Sequence, residues 1–186
     1  LAQLRVLRMH ILSIIWDIAV VLSVIGFVCF IFVIAFGAPF LPTLKPEIKN
    51  ALDLIDLKEG QHLLELGSGD GRILVAAAKK GIYAIGYEIN PLLVIYSWLI
   101  TRRYSKYVSI RMKNYWNIRL PECDGIFVFL LQPYMEKLDK KVSSEISTSV
   151  KLVSFAFTIP NKKISKTQGG MYLYKYPSNK VLRKTV

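Results

Sequence analysis

The residues best placed to do chemistry are Leu63-Leu64-Glu65-Leu66-Gly67-Ser68-Gly69-Asp70-Gly71-Arg72, an apolar run that breaks into alternating glycines flanked by acids. Glycine lacks a Cβ and takes positive φ easily, so such a turn lets backbone approach a ligand closely. At the carboxyl end of the first strand of an open α/β sheet, a nucleotide-like ligand sits on this kind of turn. The turn alone does not select the ligand, because dinucleotide folds share it. Two details separate the readings. The dinucleotide pattern asks for a third small residue where this chain has Arg72, and the following helix lacks a free glycine or alanine near its start to pack tightly beneath a pyrophosphate. Glu65 at the approach, the Gly-x-Gly-x-Gly spacing through Gly67, Ser68, Gly69 and Gly71, and Asp70 suit a ligand that carries an ammonium, a carboxylate and a sulfonium but no phosphate.

A second acid, Glu88, ends the apolar segment Ile85-Gly86-Tyr87-Glu88-Ile89-Asn90, about 20 residues beyond the first glycine. A carboxylate there can accept hydrogen bonds from both hydroxyls of a ribose, with Ile89 next to it. The plain alternative is an exposed glutamate at a strand end. Asn114, with Tyr115 beside it, follows the third apolar segment and is placed to hydrogen-bond adenine; a solvent-facing turn asparagine fits the same position.

These residues need a scaffold, and the pattern supplies one. Pro46 suits the first turn of a helix running to about Asp56, with Ile48, Ala51, Leu52 and Ile55 at helical spacing. Strand and helix then alternate: strand 62–66, helix 72–80, strand 83–87, helix 91–104, strand 107–112, strand 125–130, helix 134–144 and strand 151–157. The uninterrupted apolar run Gly125–Leu130 predicts a central parallel strand buried on both faces. Weaker strands at 163–166 and 171–176, split by Gln168-Gly169-Gly170, predict an antiparallel hairpin closing one edge.

Ahead of this domain, residues 18–36 carry no charge. As a helix the run covers roughly 28 Å, about one hydrocarbon core. A buried core helix seldom needs so long an uncharged stretch, and a cleaved signal peptide would separate the product from a cytosolic cofactor. Trp16 and Asp17 suit an interface better than the bilayer centre, so the span is placed after them. Arg5 and Arg8 before it balance Lys45 and Lys49 after it, so near-membrane charge does not fix orientation. The chain opens on Leu1 and not Met, as a fragment or a processed product would. The net charge of +12 falls almost wholly after the span and admits three partners: nucleic acid, an anionic membrane surface or an acidic protein. A tethered domain meets lipid first, and no aromatic-and-basic module for nucleic acid is present. Cys29 and Cys123 make no disulfide framework, and with His10 and His62 far apart no metal-ligand cluster is expected.

The glycine turn resembles motif I of class I methyltransferases. The chain after the apolar span is similar to the membrane-tethered lysine methyltransferases related to the ATP synthase c-subunit enzyme and to their small prokaryotic relatives. That resemblance covers about 150 residues and rests on Gly37-Ala38-Pro39-Phe40-Leu41-Pro42-Thr43, Leu66–Arg72, Gly86–Pro91 and Leu130-Leu131-Gln132-Pro133-Tyr134-Met135-Glu136-Lys137-Leu138. It implies S-adenosyl-L-methionine as cofactor, held by Gly67, Gly69, Asp70 and Glu88, with Pro42 and Thr43 folded over the methionine moiety. It also implies an acceptor pocket shaped by Gln132, Pro133 and Tyr134; Tyr134 fits a helix-start core position equally well. Leu131-Gln132-Pro133-Tyr134 departs from the Asn-Pro-Pro-Tyr of enzymes that methylate amides and base amino groups, which argues against a nucleobase acceptor.

The expectation is therefore a Rossmann-like α/β class I methyltransferase fold, a mostly parallel seven-stranded sheet with a C-terminal antiparallel hairpin. An N-terminal segment 1–36 with one transmembrane helix, a linker and pre-core helix 37–57 and a cofactor-binding domain 58–186 make up the chain. The expected activity is S-adenosyl-L-methionine-dependent lysine N-methylation of a membrane protein by a single-pass, cytosol-facing enzyme lying on the lipid bilayer. Lipid-headgroup or small-molecule methylation, and a non-catalytic cofactor-binding module, are the alternatives.

Overall fold

The computed structural model describes residues 2–36 and 42–178, and the expectations placed on 37–41 fall outside them. Two compact units make up the chain, Leu1–Pro39 and Phe40–Val186. The first is one helix, α1 (Ala2–Phe36). Among its described residues the window Leu7–Phe27 is long and apolar enough to cross a membrane, and it includes Trp16 and Asp17, which the sequence placed before the span.

The second unit is a seven-stranded sheet in the order β3-β2-β1-β4-β5-β7-β6. Its strands are β1 (His62–Leu66), β2 (Tyr83–Glu88), β3 (Val108–Met112), β4 (Gly125–Val128), β5 (Val150–Phe155), β6 (Lys166–Gln168) and β7 (Met171–Tyr176). The first five run parallel, and β7 inserts antiparallel between β5 and β6. The helices are α2 (Lys45–Ile55), α3 (Arg72–Ala78), α4 (Pro91–Thr101) and α5 (Met135–Glu145). Alternation along the strands feeds two cores. Leu63, Ala84, Phe127 and Val153 face α2 and α3, while Leu64, Leu66, Ile126, Val128 and Leu152 face α5. Fully buried leucines and isoleucines of this kind contribute about 1.5–3 kcal/mol each.

Several boundaries differ from the sequence pattern for identifiable reasons. β4 stops at Val128, not Leu130, because its register partner on β1 is Leu66 and β1 there breaks into the glycine turn. The hairpin strand is Lys166–Gln168, so Gln168 belongs to the strand; the two-residue turn Gly169-Gly170 fixes the register and pairs Gln168 with Met171. The third helix ends at Ala78, and α4 ends at Thr101 in a 3-10 turn, Arg102–Tyr104. The expected helix 134–144 begins at Met135, after a 3-10 turn at Gln132–Tyr134 that Pro133 favours.

Two contacts position the glycine turn. A Cβ at Gly71 (φ +78°) would lie 2.2 Å from Ser97 Oγ, so the start of α3 packs directly on α4 there. This close approach is why α4 buries Ser97 and Thr101, its small residues, and turns its large apolar ones outward. Asn90 caps α4 by accepting from the N–H groups of Leu92 and Leu93, with Pro91 in the first turn.

Candidate functional site

The glycine turn leaves β1 at the carboxyl edge of the sheet and is held down by β2. The N–H groups of Gly67 and Ser68 both donate to the Tyr87 carbonyl at 2.9 Å. The next residue along β2, Glu88, is buried and binds the turn itself: Oε2 accepts from Gly69 N–H at 2.9 Å, while Oε1 accepts from Ile89 and Asn90 N–H at 2.8 Å. A carboxylate has about four lone-pair positions, so three backbone bonds leave it acceptor capacity for a ligand. Glu88 thus does two things, fixing the turn and presenting an acid beside it. A Cβ at Gly67 (φ +85°) would meet nothing within 4 Å, so this glycine borders open space where Gly71 borders a helix. The absence of a side chain at Gly71 therefore serves the packing of α3 on α4.

Glu65 is 4 % exposed and its Oε2 has no hydrogen-bond partner among the described residues. Burial pushes its carboxyl well above the usual range, and the charges of Asp70 and Glu88 push it further. An orphaned buried acid inside an acidic cluster is a costly arrangement that a cationic ligand relieves. Ser68 Oγ is likewise buried without a partner among the described residues, and packs beneath Gly86. The Glu65 carboxyl fits an ammonium-bearing ligand of the kind the sequence suggested.

Asp70 is used differently from expectation. Its carboxylate receives the Arg72 side chain in a bidentate pair, with Nε at 2.9 and 2.8 Å from the two oxygens and Nη2 on Oδ2. Arg72 Nη1 donates to the Thr43 carbonyl at 2.8 Å. Arg72, which breaks the dinucleotide pattern in the sequence, is the latch that ties the segment before α2 to the glycine turn. Its signal was an acid two residues before an arginine at a helix start. Thr43 is buried under this latch, while Pro42 is exposed. A lysine cannot reproduce the planar fork. In Arg72→Lys, hydrogen exchange at the Ile48 amide, the first-turn bond of α2 to Leu44, is expected to speed up roughly tenfold, as loss of a charged hydrogen bond implies. Exchange unchanged from the parent would contradict the latch.

The remaining expected residues divide. Asn114 is exposed and its Oδ1 accepts from Trp116 N–H at 3.0 Å, so it caps the short 3-10 turn Tyr115–Asn117. Tyr115 is buried and its hydroxyl is pushed up by burial, then by Glu88 and Tyr134. Its ring packs 4.8 Å from Trp116, whose ring is 6.3 Å from that of Tyr134, and Lys137 Nζ stands 4.5 Å above Trp116. The sequence pattern assigned no role to Trp116, and Lys137 stood there only as part of the Leu130–Leu138 resemblance. Gln132 donates to the Thr158 carbonyl at 3.0 Å, which anchors the segment, and Tyr134 is 44 % exposed. The structure thus brings together Glu65, Gly67, Gly69, Asp70, Glu88 and Tyr115, with Tyr134 at the margin.

The match to a family model fixes what this arrangement belongs to. Residues 65–166, more than half of the chain, match the ANTKMT methyltransferase domain. The chain belongs to that methyltransferase family. It is 33 % identical over 125 residues to the ATP synthase c-subunit lysine N-methyltransferase of Homo sapiens, covering 66 % of this chain and 53 % of that protein. The chain thus spans about half the length of that relative. With the protein-lysine N-methyltransferase of Saccharolobus islandicus it shares 30 % identity over 152 residues, covering 73 % of this chain and 92 % of the relative. An RNA methyltransferase from Salinibacter ruber, solved in complex with S-adenosyl-L-homocysteine, superposes with a TM-score of 0.70 at 28 % identity, covering 74 % of this chain and 94 % of that one. The expected class I methyltransferase fold, with its antiparallel C-terminal strands, is the observed one. Within this methyltransferase domain the family match begins at Glu65, the orphaned acid, and runs through β2, β4 and the segment that carries Gln132 and Tyr134.

Proposed function

We propose that this chain is an S-adenosyl-L-methionine-dependent protein-lysine N-methyltransferase, anchored in a membrane by α1 and acting on a membrane-associated protein. The observation that carries the cofactor is the buried Glu65, whose Oε2 has no partner among the described residues, beside Asp70 and Glu88 under a glycine turn open at Gly67. Glu65 would face the cationic end, Glu88 the ribose hydroxyls, Tyr115 the wall between nucleoside and acceptor, and the Arg72-held Thr43 segment the methionine end. Lysine as acceptor is supported by relatives that are lysine N-methyltransferases and by the absence of Asn-Pro-Pro-Tyr at Leu131–Tyr134. The anchor is supported by the apolar stretch of α1, and confinement to the bilayer would raise the concentration of membrane substrates without new contacts.

When bound, the cofactor supplies an electrophilic methyl group on a sulfonium. In-line displacement at that carbon needs alignment more than acid–base catalysis. A lysine acceptor has to be neutral, and bringing a pKa near 10.4 down to neutrality costs about 4–5 kcal/mol. Lys137 already occupies the face of Trp116 with its ammonium, a like charge beside Tyr134 that disfavours a second ammonium there. Gln132, anchored on Thr158, keeps its amide oxygen for orienting the amine.

Transfer of labelled methyl to membrane extracts tests this, with Glu88→Ala and Gly67→Arg as inactive controls and mass spectrometry to locate the mark. Label on lysine of a membrane protein is the expected result. Label confined to lipid or to RNA would remove lysine as the acceptor, and cofactor binding without any labelled product would identify a non-catalytic module.

A further inference from the structure

Helix α4 is inverted. Its sequence, Pro-Leu-Leu-Val-Ile-Tyr-Ser-Trp-Leu-Ile-Thr, is among the most apolar of the second unit, yet its buried residues are Ser97 and Thr101. Leu92, Ile95, Tyr96, Trp98 and Leu99 are 50, 57, 53, 60 and 47 % exposed. Leu92, Ile95, Tyr96 and Leu99 fall at i, i+3, i+4 and i+7, one continuous outward stripe, with Trp98 on its flank. A contiguous apolar face of this size on a folded domain marks a contact surface.

The residues around it indicate what it contacts. Arg102 and Arg103, both exposed, follow one turn beyond Leu99 at the same helical angle as the stripe. From Pro91 to Pro121 the chain holds six basic residues, Arg102, Arg103, Lys106, Arg111, Lys113 and Arg119, and no acidic one. Apolar side chains with Trp and Tyr, bordered by arginines in a stretch without acids, are the composition of a helix that lies in the plane of a membrane interface. We infer that α4 docks on an anionic lipid surface, its apolar stripe in the acyl boundary and its basic end on the headgroups. The inference goes beyond the proposed anchoring by α1 and does not depend on the acceptor. Because Glu88 stands two residues before the Asn90 cap of α4 and its Oε1 accepts from the Asn90 N–H, docking would bring the mouth of the cofactor pocket down to the headgroup level.

The test places an environment-sensitive nitrobenzoxadiazole label at Leu99→Cys, in a Cys29→Ser background, on the full chain incorporated into nanodiscs of phosphatidylglycerol-rich or pure phosphatidylcholine lipid. A blue shift and emission gain on the anionic discs, reduced by salt and lost in R102E/R103E, is expected. Incorporation of the chain with a label that stays water-like on anionic lipid would overturn the inference while leaving the anchor intact. A shift that instead grows with protein concentration and ignores lipid charge would overturn it in favour of a second copy of the chain. If the chain does not enter discs, the anchor reading fails, and the label is read on added anionic vesicles, where no shift again counts against α4.

Discussion

Glu88→Ala is expected to lower affinity for S-adenosylhomocysteine by roughly 10- to 100-fold, the loss of one charge-assisted hydrogen bond to a ribose at about 1.5–3 kcal/mol. The effect has a structural component as well. The Gly69, Ile89 and Asn90 N–H groups all donate to this carboxylate, so the alanine variant leaves these three donors without it, and the turn keeps only its backbone tie to the Tyr87 carbonyl. Glu88→Gln separates the two components, because its remaining carbonyl oxygen still accepts from backbone while its NH2 opposes one donor. Calorimetry should therefore rank affinity as parent, then Gln, then Ala, with thermal stability falling clearly only in Ala. An alanine variant that binds within about twofold of the parent would mean that this acid serves the fold alone.

Glu65→Gln is expected to move stability and binding in opposite directions. The Glu65 carboxyl is raised above its unfolded value by burial, then by Asp70 and Glu88. A group raised on folding contributes its full stability below the unfolded pKa, and that contribution is lost as pH rises toward the folded value. At neutral pH the ligand-free parent therefore carries a penalty that glutamine lacks, so the variant should melt higher, and the gap should close as pH falls toward the ordinary glutamate range. Binding should change the other way. A cationic ligand stabilises the ionised acid, so the parent should release a proton on binding and bind more tightly as pH rises, while the variant should lose about 10- to 100-fold in affinity and the proton release with it. Titration calorimetry in two buffers of different ionisation heat reads both. Unchanged affinity together with a lower melting point would show a structural carboxyl.

The parts of the site carried by local sequence were legible, and the parts set by contact between elements were not. Gly67, Gly69 and Glu88 were readable because a strand, a tight turn and a second strand end each leave a local pattern. Gly71 looked the same in sequence but is committed to Ser97, an approach visible only when α3 and α4 are placed side by side. Asp70 and Arg72 form a pair whose purpose, holding Thr43, depends on a residue 29 positions earlier. Asn114 stood open between adenine and a turn position, and the use of its Oδ1 to cap a three-residue helix is a contact that the sequence pattern does not show. The alternating strands and helices and the closing hairpin were legible from periodicity and buried runs, whereas the Lys166–Gln168 strand was misplaced because Lys-Ile-Ser-Lys-Thr-Gln has little β pattern and takes its register from the Gly169-Gly170 turn. The exposure of α4 ran against its hydropathy, since an apolar helix is expected inside, and only the small-residue packing on α3 explains it.

The most direct measurement is calorimetric titration of the purified full chain with S-adenosylhomocysteine and, separately, with NAD. Saturable binding of the adenosyl compound, weakened by Glu65→Gln and Glu88→Ala, with no heat from NAD, is the predicted result. Uptake of NAD with no response to the adenosyl compound would contradict the account of the pocket.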